Sequence, residues 1–227
     1  MFGRNLLKIA AVGAALVLGA SAALAAPVTL VFTFSGTDLQ GPVLNYTSGG
    51  VNLAVTGHLY TAPDTINANV QVNQQQVNGL GVCGTLLATD TTGNCASPQL
   101  DGGSRRSNTD NELLKFTFSQ IVSLLSVEFN QNDTNDRLDF FVGEPLDYIS
   151  SANAPAPSTK VLSLANLFSS LSVFGIGLQD HSDEVRIAKL TVSYDAPVLP
   201  PVPVPAAGLL LLGALGGLAA LRRRRTA

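Results

Sequence analysis

The chain has 227 residues, 46% of them hydrophobic, and a formal net charge of −3. All 16 acidic residues lie between residues 26 and 196, where only seven Lys and Arg occur, so this stretch carries a formal −9. That charge excludes nucleic-acid binding, because a phosphate backbone needs a basic surface and the stretch offers only Arg105-Arg106.

The first 25 residues read as a secretory signal peptide. Arg4 and Lys8 form a positive n-region, Ile9 to Ala20 an apolar run, and Ala23-Leu24-Ala25 a small-x-small cleavage site. A signal peptidase is expected to cut after Ala25; a cut after Ala26 would put Pro27 directly behind it. The alternative is an uncleaved N-terminal anchor, against which the small residues closing the apolar run argue.

Residues 26–196 suffice for one domain with its own core, and they read as strands nearly throughout. Val28–Phe34, Val51–Tyr60 and Ala68–Val72 come first, then Leu113–Phe118, Val122–Phe129 and Leu138–Val142. Val161–Phe168, Leu171–Leu178 and Val185–Tyr194 end the series. β-Branched and aromatic residues fill these runs and Gly, Asn, Asp and Pro separate them, the pattern of antiparallel sheets. Ile121–Phe129 and Leu162–Ser170 also fit a helix and stay open. Such a set buries itself as two packed sheets or a closed barrel. The expectation is an all-β fold, an antiparallel β-sandwich of jelly-roll type. A solenoid competes, but no internal period supports it.

Cys83 and Cys95 are the two cysteines. In an oxidising compartment such a pair reads as one disulfide closing a surface loop, worth about 3 kcal/mol by chain entropy. A metal pair or a catalytic thiol is the alternative, although His58 and His181 stand at no zinc-motif spacing. Residues 130–139 (NQNDTNDRLD) crowd oxygen atoms on a turn, and Asn132, Asp133, Asp136 and Asp139 are candidate ligands for calcium, the one cofactor considered. The spacing is not that of an EF-hand, and Asn and Asp also build ordinary solvated turns. Asp101 and Asp110 are further candidates between loops. Asp180, Asp183 and Glu184, around His181, read as another solvated turn.

Pro197–Pro205 is proline-rich and leads into the uncharged run Ala206–Leu221, which Arg222, Arg223, Arg224 and Arg225 follow. The run is expected to be a transmembrane helix with the arginines on the cytoplasmic side. At 1.5 Å per residue it reaches roughly 24 Å, short of the roughly 30 Å bilayer core.

Val202, Pro203, Val204, Pro205 and Ala206, with the apolar run and the arginines behind them, resemble the tripartite PEP-CTERM sorting signal of Gram-negative bacteria. The likeness is nearest to the VPLPA-type variant, but Val204 stands where that variant has Leu, and the Glu of the Pro-Glu-Pro form is missing. Such tails also go by the name of ice-binding protein C-terminal domain, a label that implies nothing about ice. The resemblance implies cleavage near the proline motif by an exosortase, a membrane-embedded cysteine transpeptidase or protease. It implies an exported body, periplasmic and transiently anchored at the inner membrane, then at the cell surface or outside it, often beside extracellular polysaccharide. It covers residues 197–227 and is silent on the body's activity. Gly79-Leu80-Gly81-Val82, Asp101-Gly102-Gly103 and Asp110–Leu114 with Phe116 and Phe118 are, more weakly, similar to sandwich bodies attached to such tails.

No Gly-x-Ser-x-Gly elbow, His-Glu-x-x-His helix or phosphate loop appears in the sequence. A carboxylate pair for glycoside hydrolysis would be drawn first from Glu112, Glu128 and Glu144. The chain has no Trp, so a sugar would have to stack on rings such as Tyr46, Tyr60 or Tyr148. The leading reading is a non-catalytic exported surface or extracellular-matrix protein. A carbohydrate- or calcium-binding module and a secreted polysaccharide hydrolase are the alternatives.

Overall fold

The structure is a computed structural model that describes residues 26–63, 65–83, 99–102, 111–178 and 183–196, with helical positions 211, 213–216, 218 and 222. The chain divides into two compact units, Ala26–Ala196 and Met1–Ala25 with Pro197–Ala227.

Period-two alternation decides which face each strand of the first unit buries. Val51, Leu53 and Val55 are buried while Asn52 between them is exposed. The strands are β1 (Pro27–Thr33), β2 (Leu39–Gly41), β3 (Leu44–Ser48), β4 (Val51–Thr61), β5 (Thr65–Gln75) and β6 (Gly79–Cys83). After them come β7 (Leu100–Asp101), β8 (Asn111–Asn130), β9 (Arg137–Val142), β10 (Asp147–Asn153), β11 (Val161–Leu178) and β12 (Glu184–Asp195). The pairings between them are antiparallel.

The expected sandwich is corrected to a barrel. β12, β6, β5, β4 and β8 pair in a circuit that returns to β12, a closed five-stranded barrel from which the other strands extend. The physical reason is β8, which runs for 20 residues. Asn111 to Phe118 pair with β4, and Ser123 to Asn130 pair with β12. Ser119-Gln120-Ile121, where two short strands were expected to part, holds neither glycine nor proline, so the chain bends without turning back. One strand thereby belongs to both would-be sheets. β11 behaves likewise over 18 residues, absorbing its register shifts near Ser170, which sits at φ 58°. Both segments that also fitted helices are strand.

Closure between β6 and β12 rests on the pairing of Leu80 with Ile187. Gly79 permits this approach: its φ is +98°, and a Cβ there would lie 2.3 Å from the Ile187 carbonyl oxygen. Inside, Phe116 stacks on Phe174 with centroids 4.7 Å apart, and Val55, Phe129, Ile187 and Leu190 share the same cluster. Burying a side chain of this size contributes about 1.5–3 kcal/mol. Tyr60, Leu113, Phe141, Leu146 and Val173 form a smaller cluster. Leu113 and Phe141 neighbour Leu114 and Phe140 of the main core, so alternation puts this cluster on the opposite face of the sheet.

The expected transmembrane helix, and the inner-membrane anchoring derived from it, are also corrected. Among the described residues no helix is long and apolar enough to cross a membrane. The shortness of Ala206–Leu221 is the physical reason, and its described positions Leu211, Leu215 and Leu218 are helical and exposed.

Candidate functional site

Charged side chains gather, buried, at one end of the barrel, where β8, β9 and β12 begin and β4 ends. Glu112, Asp136, Asp139, Asp183 and Arg186 are each at most 3% exposed. β7 brings Asp101 to this end by pairing with Glu184 and Val185, and Gly102 N–H donates to the Asp183 carbonyl.

Glu112 Oε2 accepts the backbone N–H of Asp101 at 2.8 Å. Burial pushes the Glu112 carboxyl well above the usual carboxylate range, and the Asp101 charge pushes the same way. Asp136 accepts the N–H of Asp133 at 2.6 Å and that of Glu184. Burial nevertheless raises Asp136 to about 6, and the charges of Asp183 and Asp133 add to the rise. Asp183 Oδ2 accepts the N–H of Arg137 at 2.9 Å. Asp139 Oδ2 accepts the Tyr60 hydroxyl at 3.2 Å, while Oδ1 is buried without a hydrogen-bond partner. Burial raises Asp139 too, opposed by the Tyr60 hydrogen bond and the Arg137 charge. Arg186 donates through Nε to Gln131 Oε1 at 2.8 Å; burial lowers it to about 10 against the pull of Asp101 and Glu184. Chemically, this end staples backbone N–H groups and offers several carboxyls able to exchange protons.

The proposed calcium ligands are exposed or bonded to protein groups. Asn132 donates through Nδ2 to the Pro155 carbonyl at 2.5 Å, Asp133 is exposed, Asp136 turns to backbone N–H groups, and Asp139 joins Tyr60. Among the described residues no group of three or more His, Cys, Asp or Glu is arranged to hold a metal ion. Asp183, expected in a solvated turn, is buried.

Each of the three glutamates is engaged by another group, Glu112 by the Asp101 N–H. Glu128 sits at the far end of β8 from Glu112 and forms an ion pair with Lys189 at 3.0 Å. Glu144 is exposed and paired with Lys115, which neighbours Leu114 of the core face and so points away from it. Nor do the tyrosines offer an open ring. Tyr60 is fully buried, Tyr46 packs edge-on against Phe34 and donates to Gln74 at 2.7 Å, and half-buried Tyr148 packs on Phe141 and donates to Ser151.

Cys83 is disulfide-bonded, and Cys95 lies outside the described residues. So do Ala23, Ala25, Asp110, Asp180, His181, the motif Val202–Ala206 and Arg223, Arg224 and Arg225; Arg222 is an exposed helical position. Sequence reasoning missed the staples made by Glu112 and Asp183. The signal for the first was an acid directly followed by core residues, Glu112-Leu113-Leu114.

No family model and no curated protein matches this chain.

Proposed function

We propose that the chain is an exported, non-catalytic surface or extracellular-matrix protein whose C-terminal motif, Val202–Ala206, is processed by an exosortase. The observation that carries the reading is the order of parts at the C-terminus: a body ending at Ala196, then the proline motif, the apolar run and four arginines. The bonds that occupy Glu112, Glu128 and Glu144, to the Asp101 N–H, Lys189 and Lys115, favour structural roles for these three acids. Its place beside extracellular polysaccharide belongs to the same reading; anchorage by a membrane helix does not.

Intact mass spectrometry of the protein from its host, with and without the exosortase, tests this. The expected mature species starts at Ala26 and ends near Pro205, and its C-terminal cut disappears in the strain lacking the enzyme. Retention of Arg222–Arg225 in both strains would overturn it.

A further inference from the structure

The turn between β5 and β6 runs into the one Asn-Gly pair of the sequence, Asn78-Gly79. Closure of the barrel dictates the glycine. Gly79 sits at φ +98° so near the Ile187 carbonyl oxygen that no side chain fits. The same missing side chain leaves the Gly79 nitrogen unshielded beside the Asn78 side-chain amide. Every other asparagine of the chain precedes a residue that has a Cβ. Asparagine is a thermolabile residue, and a following glycine hinders attack on its amide least. Val77 next to it is 74% exposed, so water reaches the turn.

Neighbouring groups hold this turn in place. Gln76 N–H donates to Asp38 Oδ1 at 2.7 Å, and the Gln76 carbonyl accepts the Gly36 N–H at 2.9 Å. Asn78 N–H donates to the Gln75 carbonyl at 3.3 Å, and Asn78 Nδ2 to Gln75 Oε1 at 2.9 Å. From the end of β8, Asn130 Nδ2 donates to the carbonyls of Val77 at 3.4 Å and Asn78 at 3.3 Å. A ring between Asn78 and Gly79 cannot form without giving up the Gln75 bond, because Nδ2 is the atom that leaves. These bonds sit at a hairpin tip, and such a tip opens locally far more often than a barrel unfolds.

We infer that Asn78-Gly79 is a site of succinimide formation that the closed barrel restrains, and that its isoaspartyl product keeps the β6–β12 seam from re-forming. The Gly79 nitrogen gives its proton to hydroxide and bonds to Asn78 Cγ. The Cγ–Nδ2 bond breaks, and ammonia leaves with a proton taken from water. Water then opens the cyclic imide at either carbonyl, giving aspartate or isoaspartate; nothing is oxidised or reduced. The isoaspartyl link routes the main chain through Cβ and Cγ and so lengthens it by one atom directly ahead of Gly79. Gly79 then no longer seats under the Ile187 carbonyl, and Leu80 loses its register with Ile187. The inference rests on the barrel alone and is independent of how the chain is exported.

Peptide mapping of the full chain, aged in mildly alkaline buffer with and without urea, tests this. Isoaspartate should accumulate at Asn78 before any other asparagine converts, and about tenfold or more faster in urea, where the restraint is gone. In the protein aged without urea, the converted fraction should lose hydrogen-exchange protection in the segments holding Leu80 and Ile187, while the segment holding Phe116 keeps its own. Asn78→Ser, which has no amide to cyclise, should keep all three protected through the same treatment. Another asparagine converting first, an equal rate with and without urea, or converted protein with Leu80 and Ile187 still protected would sink the inference. If Asn78→Ser does not fold, the wild-type rates and the protection of its converted fraction decide alone.

Discussion

Pro27 and Asp195 are cross-strand partners, the outermost pair of a seven-residue register that runs unbroken to Thr33 and Lys189. The first and last strands of the body are thus neighbours, and the core residues Leu30 and Phe32 dock only once β12 exists. Closing so long a loop is entropically costly and slow. A chain ending at Leu190 loses the partners of Pro27–Val31 and of Ser123, Leu124 and Ser126. It is expected to lack cooperative unfolding by circular dichroism, whereas a chain ending at Ala196 should retain it.

Gly79→Ala probes the closure. A methyl group would strike the Ile187 carbonyl, and the left-handed φ adds strain whatever the space. Urea unfolding should report a loss of about 2 kcal/mol or more, set by backbone strain and overpacking. A loss under about 0.5 kcal/mol, the range of ordinary surface changes, would mean that β6 and β12 do not close there.

Phe116→Ala removes one ring of the stacked pair with Phe174 in the centre of the barrel. The expected cost is about 3–5 kcal/mol, the transfer term plus the cavity left behind. Val31→Lys, on the exposed face of β1, should stay within about 0.5 kcal/mol of wild type.

Tyr60→Phe keeps the ring against Phe141 and deletes the hydroxyl that donates to Asp139. The buried carboxyl then loses its side-chain donor, for an expected cost of about 1–3 kcal/mol. Comparing unfolding midpoints of the two proteins measures it, and the gap should widen as pH rises and Asp139 ionises.

Glu112→Gln isolates the other buried acid. Its folded-state pKa lies above the ordinary range, so its contribution to stability is full below that range and is lost as pH rises through the folded value. The amide keeps an acceptor for the Asp101 N–H without the charge. Wild type and variant should unfold at similar urea concentrations near about pH 4, with the variant more stable near about pH 8. A wild type that gains stability relative to the variant on the alkaline side would contradict the burial argument.

Strand content was legible because β-branched and aromatic runs declare themselves locally, and seven residues of β1 or twelve of β12 need no distant information. What local pattern cannot report is continuity. Ser119-Gln120-Ile121 and Ser169-Ser170 look like gaps, yet whether a chain bends or reverses there depends on partners as distant as β4 and β12. That difference turned two sheets into one barrel. The polar end was hidden for a related reason. Asp136 and Asp183 carry the residue type of a solvated turn, and only their reciprocal bonds to Glu184 and Arg137 make them interior groups. Glu112, Glu128 and Glu144 were plausible together on paper because spacing along a chain says nothing about which face or end of a sheet each one occupies.

The register of β1 against β12 has a topological consequence. Since Pro27 faces Asp195, a short flexible peptide between them would make the body a ring, and the ring could be opened elsewhere. The turn at Gly49 and Gly50 between β3 and β4, exposed and with both glycines at positive φ, suits such a nick. A permuted barrel that begins at Val51 would carry its ends on a different hairpin and leave the β1–β12 seam uninterrupted. The ends of the body would then be one opening among several that the ring allows, and the barrel itself a structure without a beginning.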